Sequence, residues 1–356
     1  MGHKTPLFEN HRAEGGKIVD FAGWDMPLQY SSITGEHKVV RARCGIFDVS
    51  HMGRFFMSGT GAVEAIDRLV VSRIANLEDG QIRYTVVCNP EGGAKDDILV
   101  ARLHEDSYLL VVNASNREKL LPWFREHLNA GIQLEDRTFE TGMVAIQGPD
   151  SLRVMEQVLN ESFGGLDYYH IRALNDNMYV SRTGYTGEDG FEIIASAERI
   201  KSVWKKAREA GAEPVGLGAR DSLRLEMGFA LYGHELTEEI SPLQAGLGWL
   251  THLDKGEFIG REALLRQKQD GKPMKRVNFI VEGQGIPRQG YTLHDETREI
   301  GIVSSGGFSP ILSKGIGLGF VEEQHRKEDS LYVDIRGKKV PVRKTKPPFV
   351  EKKVKS

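Results

Sequence analysis

The chain has few cysteines, the residues that form disulfides and bind structural metals in small domains. Only two cysteines, Cys44 and Cys88, occur in 356 residues, and their separation matches no metal-binding pattern. A disulfide framework is therefore not expected, and a reducing compartment, by default the cytoplasm, fits better. No apolar run is long enough for a membrane helix, and the N-terminal segment does not read as a signal or transit peptide. No membrane partner is expected.

Several motifs of well-known enzyme classes are also missing. G-x-G-x-x-G, the Walker A motif and H-E-x-x-H are all absent, which removes the best sequence support for nicotinamide-dependent hydride transfer, P-loop phosphoryl transfer and zinc hydrolysis. His51 and His234 stand alone without ligand spacing. They are interpreted as structural hydrogen-bonding residues, and no metal site is predicted.

Glycine, in contrast, is abundant. The chain has 40 glycines against 13 prolines, a balance that favours many tight turns in a strand-rich α+β protein. The length suggests two or three domains. The formal net charge is −3, and because nucleic-acid-binding proteins usually carry a basic surplus, no nucleic-acid partner is expected.

The order of strand-like and helix-like segments predicts an antiparallel α+β fold, not a doubly wound parallel sheet. A capped helix is predicted over 31–47. Strand-like runs at 84–89 and 98–103 flank a Pro-Glu-Gly-Gly turn, which predicts a hairpin. The polar segment 267–275 predicts a domain boundary, and the short strands beyond it predict a small all-β barrel or sandwich.

Two adjacent carboxylates follow the hairpin turn. Strand alternation would place Asp97 on one face of the strand and Asp96 on the other, so that only one of them can easily face a shared cavity. The alternative is that both are turn residues of the hairpin. Residue pattern alone favours this alternative.

Several segments, taken together, resemble the glycine cleavage T-protein family. Each segment is a modest match, but the ordered set is specific and extends from about Thr5 to Phe349. The matching segments are Thr5 to Phe8, Val19 to Leu28, Gly45 to Gly53, Gly92-Gly93 with Asp96-Asp97, Val111 to Ala114, Gln147 to Pro149, Ser181 to Glu192, Gly216 to Glu226 and Leu231 to Leu236.

The resemblance implies a three-domain cloverleaf of antiparallel sheets with flanking helices around a central folate channel. Residues 1–53 plus 140–266 would form a discontinuous folate-binding α+β domain, and residues 54–139 a second α+β domain. Residues 276–350 would form a C-terminal all-β barrel or jelly-roll-like domain.

The resemblance also implies an activity. An aminomethyltransferase of the glycine cleavage system moves the methylene carbon from the aminomethyl-lipoyl arm of H-protein to tetrahydrofolate and releases ammonia. Tetrahydrofolate would be the acceptor substrate. The lipoyl group would be supplied by H-protein, the expected protein partner.

By the same resemblance, Asp97 is the catalytic carboxylate beside the reacting folate nitrogens. Glu192 matches the acid that pairs with the N–H donors of the pterin ring, and Arg220 matches an arginine that helps to hold the folate. Other matched positions would line the pocket and sandwich a flat heterocycle. They are Met52, Tyr84, Asn113, Tyr168 and Trp249.

The chain departs from the family pattern at a few positions. Lys95 replaces an aliphatic residue and would either point to solvent or lower the pKa of a neighbouring aspartate. Ala101 stands where an aromatic residue often occurs, which predicts a more open pocket wall. The tail from Arg336 onward carries nine Lys and Arg residues and one acid, Glu351. It is interpreted either as a solvated tail or as a surface that steers an anionic folate or an acidic lipoyl carrier.

Three alternatives stay open. A folate-dependent demethylase of a small methylated amine or sulfonium compound would use the same scaffold. A non-enzymatic folate-binding maturation factor would carry a functional cysteine in a Lys-Gly-Cys signature, but Glu257 follows Lys255-Gly256 here. An inactive subunit that only protects bound folate is the third.

Overall fold

The structure is a computed structural model, which describes residues 2–175, 177–271, 273–327 and 330–354. A few predicted features include residues outside these ranges. These residues are Met1, Asp176, Glu328 and Asp329 of the predicted domains, Lys272 of the predicted boundary, and Lys355 and Ser356 of the basic tail.

The described part of the chain contains eight α-helices. They are α1 Phe8–Ala13, α2 Ile33–Ala42, α3 Ala62–Leu69, α4 Arg117–Glu126, α5 Ser151–Leu159, α6 Ala197–Glu209, α7 Leu217–Glu226 and α8 Arg261–Asp270. No helix among the described residues combines the length and the apolar character that crossing a membrane requires.

Twenty strands are found in the same ranges. They are β1 His3–Lys4, β2 Lys17–Phe21, β3 Trp24–Gln29, β4 Gly45–Asp48, β5 Gly53–Ser58, β6 Ile82–Cys88, β7 Ala94–His104, β8 Ser107–Val112, β9 Gln133–Asp136, β10 Thr141–Gln147, β11 Ile171–Leu174, β12 Met178–Ser181, β13 Gly190–Ser196, β14 Glu213–Pro214, β15 Met274–Val281, β16 Thr292–His294, β17 Glu299–Ser309, β18 Lys314–Glu322, β19 Leu331–Ile335 and β20 Lys338–Lys344.

The strands form three open sheets and one closed barrel. The open sheets have the strand orders β1-β3-β2, β11-β12-β13-β10-β4-β14 and β6-β7-β8-β5-β9, and the barrel has the order β15-β18-β17-β16-β19-β20. Two short pairings, β1 with β3 and β14 with β4, are parallel. The predicted α+β class, with antiparallel sheets, flanking helices and a C-terminal barrel, is confirmed. The boundaries of the three predicted domains stay a prediction.

The predicted hairpin joins β6 and β7. The amide of Asn89 donates to the carbonyl of Gly93 at 2.9 Å, and Gly92 has a φ of +86°, a conformation that favours glycine. Strand β7 begins before the aspartates, so Asp96 and Asp97 are strand residues that pair with β6. The interpretation of both aspartates as turn residues is therefore wrong, and the alternation prediction applies.

The helix predicted over 31–47 is too long. The hydroxyl of Ser32 caps α2 by accepting from the amide of Gly35 at 3.1 Å, but the helix ends at Ala42 and the chain continues as β4. All four residues of β4 are buried, and their backbone groups pair with β10. Pairing within a buried sheet thus overrides the helical spacing at the end of the segment.

Helix α7 ends at a fully buried acid that joins distant parts of the chain. The carboxylate of Glu226 accepts from His37 at 3.0 Å and from Arg41 at 2.9 Å, both on α2. Ser309 of β17 also donates to it, and the Glu226 carbonyl accepts from the amide of Phe349 at 2.8 Å. Burial alone would raise the pKa of Glu226, but these hydrogen bonds and charges keep it below its ordinary value. One residue thus ties α2, α7, the barrel and the C-terminal segment together.

We expect Glu226→Ala to lower the free energy of unfolding by about 3 kcal/mol or more, because it leaves buried His37 and Arg41 without their shared acceptor. Urea denaturation at neutral pH measures this change. The matched control is Glu209→Gln, since Glu209 is exposed and its ion pair with Lys205 spans 3.9 Å. A loss of unfolding free energy no larger than that of the control would contradict the proposed role of Glu226 in joining these elements.

Candidate functional site

A central cavity of about 1410 Å³ is enclosed by both large sheets, α7, the barrel and the C-terminal segment. All eight residues predicted for the site line this cavity. They are Met52, Tyr84, Asp97, Asn113, Tyr168, Glu192, Arg220 and Trp249. The fold therefore brings together positions that are far apart in the sequence, while the role of each residue stays a prediction.

Asp97 is held by a tyrosine on one neighbouring strand and by an asparagine directly after the other. Its Oδ2 accepts from the hydroxyl of Tyr84 on β6 at 2.9 Å. Its Oδ1 accepts from Nδ2 of Asn113, directly after β8, at 3.0 Å. Burial raises the pKa of Asp97 to about 6, although both hydrogen bonds oppose this shift. The carboxylate is thus ionised at neutral pH, yet close to the range in which it can take up a proton.

A second acid and a cation lie at another part of the cavity wall. Glu192 of β13 is buried, and its Oε2 accepts from the hydroxyl of Thr183 at 2.6 Å. Burial raises the pKa of Glu192, while Thr183 and the charge of Arg220 oppose the shift. The guanidinium of Arg220 lies 4.9 Å from the ring centre of Tyr185. Within the described ranges, it has no hydrogen-bond or ion-pair partner. The pair can therefore offer both an acceptor and donors to a polar ring.

Three further predicted residues form apolar parts of the wall. Met52 lies in the short connection from β4 to β5, and Tyr168 precedes β11. Lys352 of the C-terminal segment places its ammonium 4.9 Å from the ring centre of Tyr168. Trp249 is 72% exposed, so it is a residue of the cavity mouth and not a core aromatic.

A buried arginine holds the connection that carries Met52. Arg54 donates to the carbonyl of Ser50 at 3.0 Å and to that of Thr141 at 3.0 Å. It also donates to the carbonyls of Met52 and Thr138. Because these carbonyls come from two segments, the backbone beside the cavity is fixed before any ligand binds.

Sequence reasoning missed several cavity residues. Tyr185 donates to the carbonyl of Ala230, and it lies in a matched block, which could have indicated it. Arg276 donates to the carbonyl of Ala245 at 3.3 Å. No motif pointed to Arg276, because its position depends on how the barrel packs.

The basic tail is largely built into the fold. Its first part forms β20, and the amide of Lys353 donates to the carbonyl of Gly187 at 2.8 Å. Lys344, Lys346 and Lys352 line the cavity. The described residues up to Val354 thus follow the fold instead of forming a free tail. Most of their basic side chains are exposed, so the choice between a solvated and a steering surface stays a prediction.

Lys95 and Ala101, the two departures from the family pattern near the aspartates, do not have the surroundings that were expected. The ammonium of Lys95 lies 3.7 Å from a carboxylate oxygen of Glu238 and 4.3 Å from the ring centre of Trp123. Its side chain is only 12% exposed, so it does not point to solvent. Ala101 is buried in the core between the sheets and does not line the cavity, so the expected opening of the pocket wall is wrong.

Among the residues with a described placement, no group of three or more His, Cys, Asp or Glu side chains could hold a metal ion.

Comparisons with known proteins agree with this architecture. Residues 7–255 match the family described as GCVT N-terminal domain, and residues 275–351 match the glycine cleavage T-protein C-terminal barrel domain. The aminomethyltransferase of Halothermothrix orenii is 43% identical over 98% of this chain and 99% of its own. That of Rubrobacter xylanophilus is 44% identical over 98% of this chain and 95% of its own.

A solved structure gives the same result. Glycine cleavage system aminomethyltransferase T from Bartonella henselae superimposes with a TM-score of 0.94 at 33% identity, covering 99% of each chain. The fold and the cavity define an enzyme of the aminomethyltransferase class. The chain belongs to the glycine cleavage T-protein family, which confirms the resemblance seen in its sequence.

The hydrogen bond from Thr183 to Glu192 leads to a testable prediction. We expect Thr183→Val to raise the pKa of Glu192 further, because it removes the hydroxyl that stabilises the charged carboxylate. Carboxyl-carbon NMR titration of Glu192 measures the change. Thr186→Val is the control, since Thr186 donates to Gln147 at 2.8 Å and does not contact Glu192. An unchanged Glu192 titration in Thr183→Val would contradict the expected role of the hydroxyl.

Proposed function

We propose that this chain moves the methylene carbon from the aminomethyl-lipoyl arm of H-protein to tetrahydrofolate. The carbon loses its bonds to sulfur and to the amino nitrogen and gains bonds to two folate nitrogens. The two folate N–H protons leave with the products, one on ammonia and one on the thiol. Membership of the T-protein family supports this function. The observation that carries it is the Asp97 carboxylate, held by Tyr84 and Asn113 on the wall of the central cavity.

Asp97 would accept a hydrogen bond from the attacking folate amine and so orient the nitrogen lone pair towards the carbon. Because Tyr84 and Asn113 each hold one of its oxygens, this acceptor is in place before the substrate arrives. A pKa near neutrality suits the same carboxylate to relay a proton as the carbon–sulfur bond breaks.

The remaining cavity residues fit the parts of a folate. Glu192 offers a carboxylate to the amino and ring N–H donors of a pterin. Arg220 offers donors that no described residue occupies. Met52 and Tyr168 provide apolar walls for the flat ring. Lys352 would attract the carboxylates of the glutamate part as a point charge, without the fork of an arginine.

The lipoyl arm would enter at the mouth, where the exposed ring of Trp249 offers an apolar contact. A reducing compartment suits the thiol product and the chain itself, since both Cys44 and Cys88 are unpaired. We therefore place the reaction in the cytoplasm, with lipoylated H-protein as the protein partner.

The first test compares the wild type with Asp97→Asn. Methylene-tetrahydrofolate and ammonia formation from aminomethylated H-protein would be assayed, with folate binding measured in parallel. We expect the variant to bind folate but to turn over slower by on the order of a hundredfold or more, because the amide cannot replace the carboxylate in the chemical step.

Asp79→Asn is the matched control for this test. Asp79 is exposed, and it pairs at 2.8 Å with Arg102, which lies on the same strand as Asp97. Its loss should leave turnover unchanged. If the wild type binds folate but leaves the aminomethyl group untouched, the proposed function is wrong.

The pH dependence of kcat/KM tests the state of Asp97. Since burial raises the pKa of Asp97 to about 6, the ionised fraction and the rate should fall as the pH falls through that value. Tyr84→Phe removes a donor that favours the ionised form, so its acid limb should move to higher pH. Tyr108→Phe, in the core of the same sheet, serves as the control. An acid limb that is the same in Tyr84→Phe and wild type would count against Asp97 as the titrating group.

A further inference from the structure

A second carboxylate lies behind Asp97 on the same strand and faces away from the cavity. Asp96 is fully buried, and three N–H groups donate to it. Its Oδ1 accepts from Nδ2 of Asn113 at 2.8 Å and from Nδ2 of Asn116 at 2.5 Å, and its Oδ2 accepts from the backbone amide of Asn113 at 3.0 Å. All three partners are donors, so Asp96 is the shared acceptor that fixes Asn113 and Asn116.

The side-chain amide of Asn113 links the two carboxylates. Besides Asp96, its Nδ2 contacts Oδ1 of Asp97 at 3.0 Å and the carbonyl of Asp97 at 3.0 Å. A flipped amide would place its oxygen against these acceptors, so only one orientation is compatible with the contacts. The nitrogen therefore faces the aspartates, and the oxygen is left for other partners on a residue that lines the cavity.

We propose that Asp96 is a positioning residue for the transfer reaction. It holds the Asn113 amide so that the nitrogen supports Asp97 and the oxygen is available to the substrate. This inference rests on the proposed function, because it assigns Asp96 a part in the same reaction.

The groups around the two carboxylates come from several elements. Tyr84 projects from β6, Asn113 and Asn116 follow β8, and the charge of Glu235, after α7, further raises the pKa of Asp97. Tyr185 and Tyr232 are near enough for the aspartate charges to affect their own pKa values. Burial and the charge of Asp97 raise the pKa of Asp96 to about 8. As the pH rises, Asp97 therefore ionises first, beside a neutral Asp96, so a change in the Asp97 titration would report the hold on Asn113 and not the loss of a charge.

Asp96→Asn tests the proposal through kcat, KM and the pH profile. We expect kcat to fall by on the order of tenfold to a hundredfold, because Asn113 and Asp97 lose their fixed geometry. We also expect the acid limb to move to higher pH, since Asp97 loses the fixed Nδ2 donor of Asn113 that favours its charged form. Carboxyl-carbon NMR of Asp97 in both proteins should show the same rise in its pKa.

Thr85→Val is the matched control. Thr85 is buried on β6 opposite Ile98, and its hydroxyl accepts from the amide of Ser72 at 3.1 Å. This substitution removes a buried hydrogen bond from the same sheet. Because Thr85 contacts neither aspartate, the acid limb should stay unchanged. If Asp96→Asn lowers kcat but leaves the acid limb and the Asp97 titration as in wild type, its role is only structural and the proposal is wrong.

A swapped pair keeps the test decisive if Asp96→Asn does not fold. The double variant Asp96→Asn with Asn116→Asp retains an amide–carboxylate contact between the two positions but removes the carboxylate that holds Asn113. Its acid limb should still lie above that of wild type, and an unchanged limb would overturn the proposal. A wild type without turnover would contradict the proposed function instead, while the NMR titration would still decide the effect of Asp96 on Asp97.

Discussion

The fold depends on the ion pairs and hydrogen bonds that the buried charged residues of helix α7 make with other elements. Glu226 binds α2 and the barrel, while Arg224 pairs with Glu235 at 3.2 Å and donates to Ser305 of β17 at 2.9 Å. A buried ion without its partner is strongly destabilising, so the barrel can pack against the sheets in few ways. The resulting arrangement leaves Arg220, on the same helix, facing the cavity.

This packing also sets the electrostatics of the site. Because the cavity is enclosed by elements from the whole chain, its carboxylates are removed from most of the solvent, and their pKa values rise. Neighbouring hydroxyl and amide donors limit this rise for Asp97 and Glu192. Asp97 is therefore kept as an oriented acceptor with a pKa of about 6, a state that an exposed carboxylate with a low pKa would not provide.

Local sequence signals predicted those parts of the fold that depend on local physics. The turn after Asn89 and the period of two along β7 predicted the hairpin and the opposite faces of Asp96 and Asp97. Residues Gly45–Asp48 form a strand because they pair with β10, about a hundred residues later in the chain. The helical spacing of the segment had predicted a helix there. The site residues came from the family resemblance, because their convergence depends on tertiary packing. The same packing placed Lys352 on the wall, which its charge pattern could not show.

The C-terminal segment has a consequence for synthesis. Phe349 and Lys353 bind to residues near the middle of the chain, and Lys352 completes a wall of the cavity. Domains fold in order as the ribosome releases them, so the earlier sheets can form while this wall is still missing. A nascent chain therefore has no complete cavity until its last described residues emerge, and an unfinished or clipped molecule would have an open one.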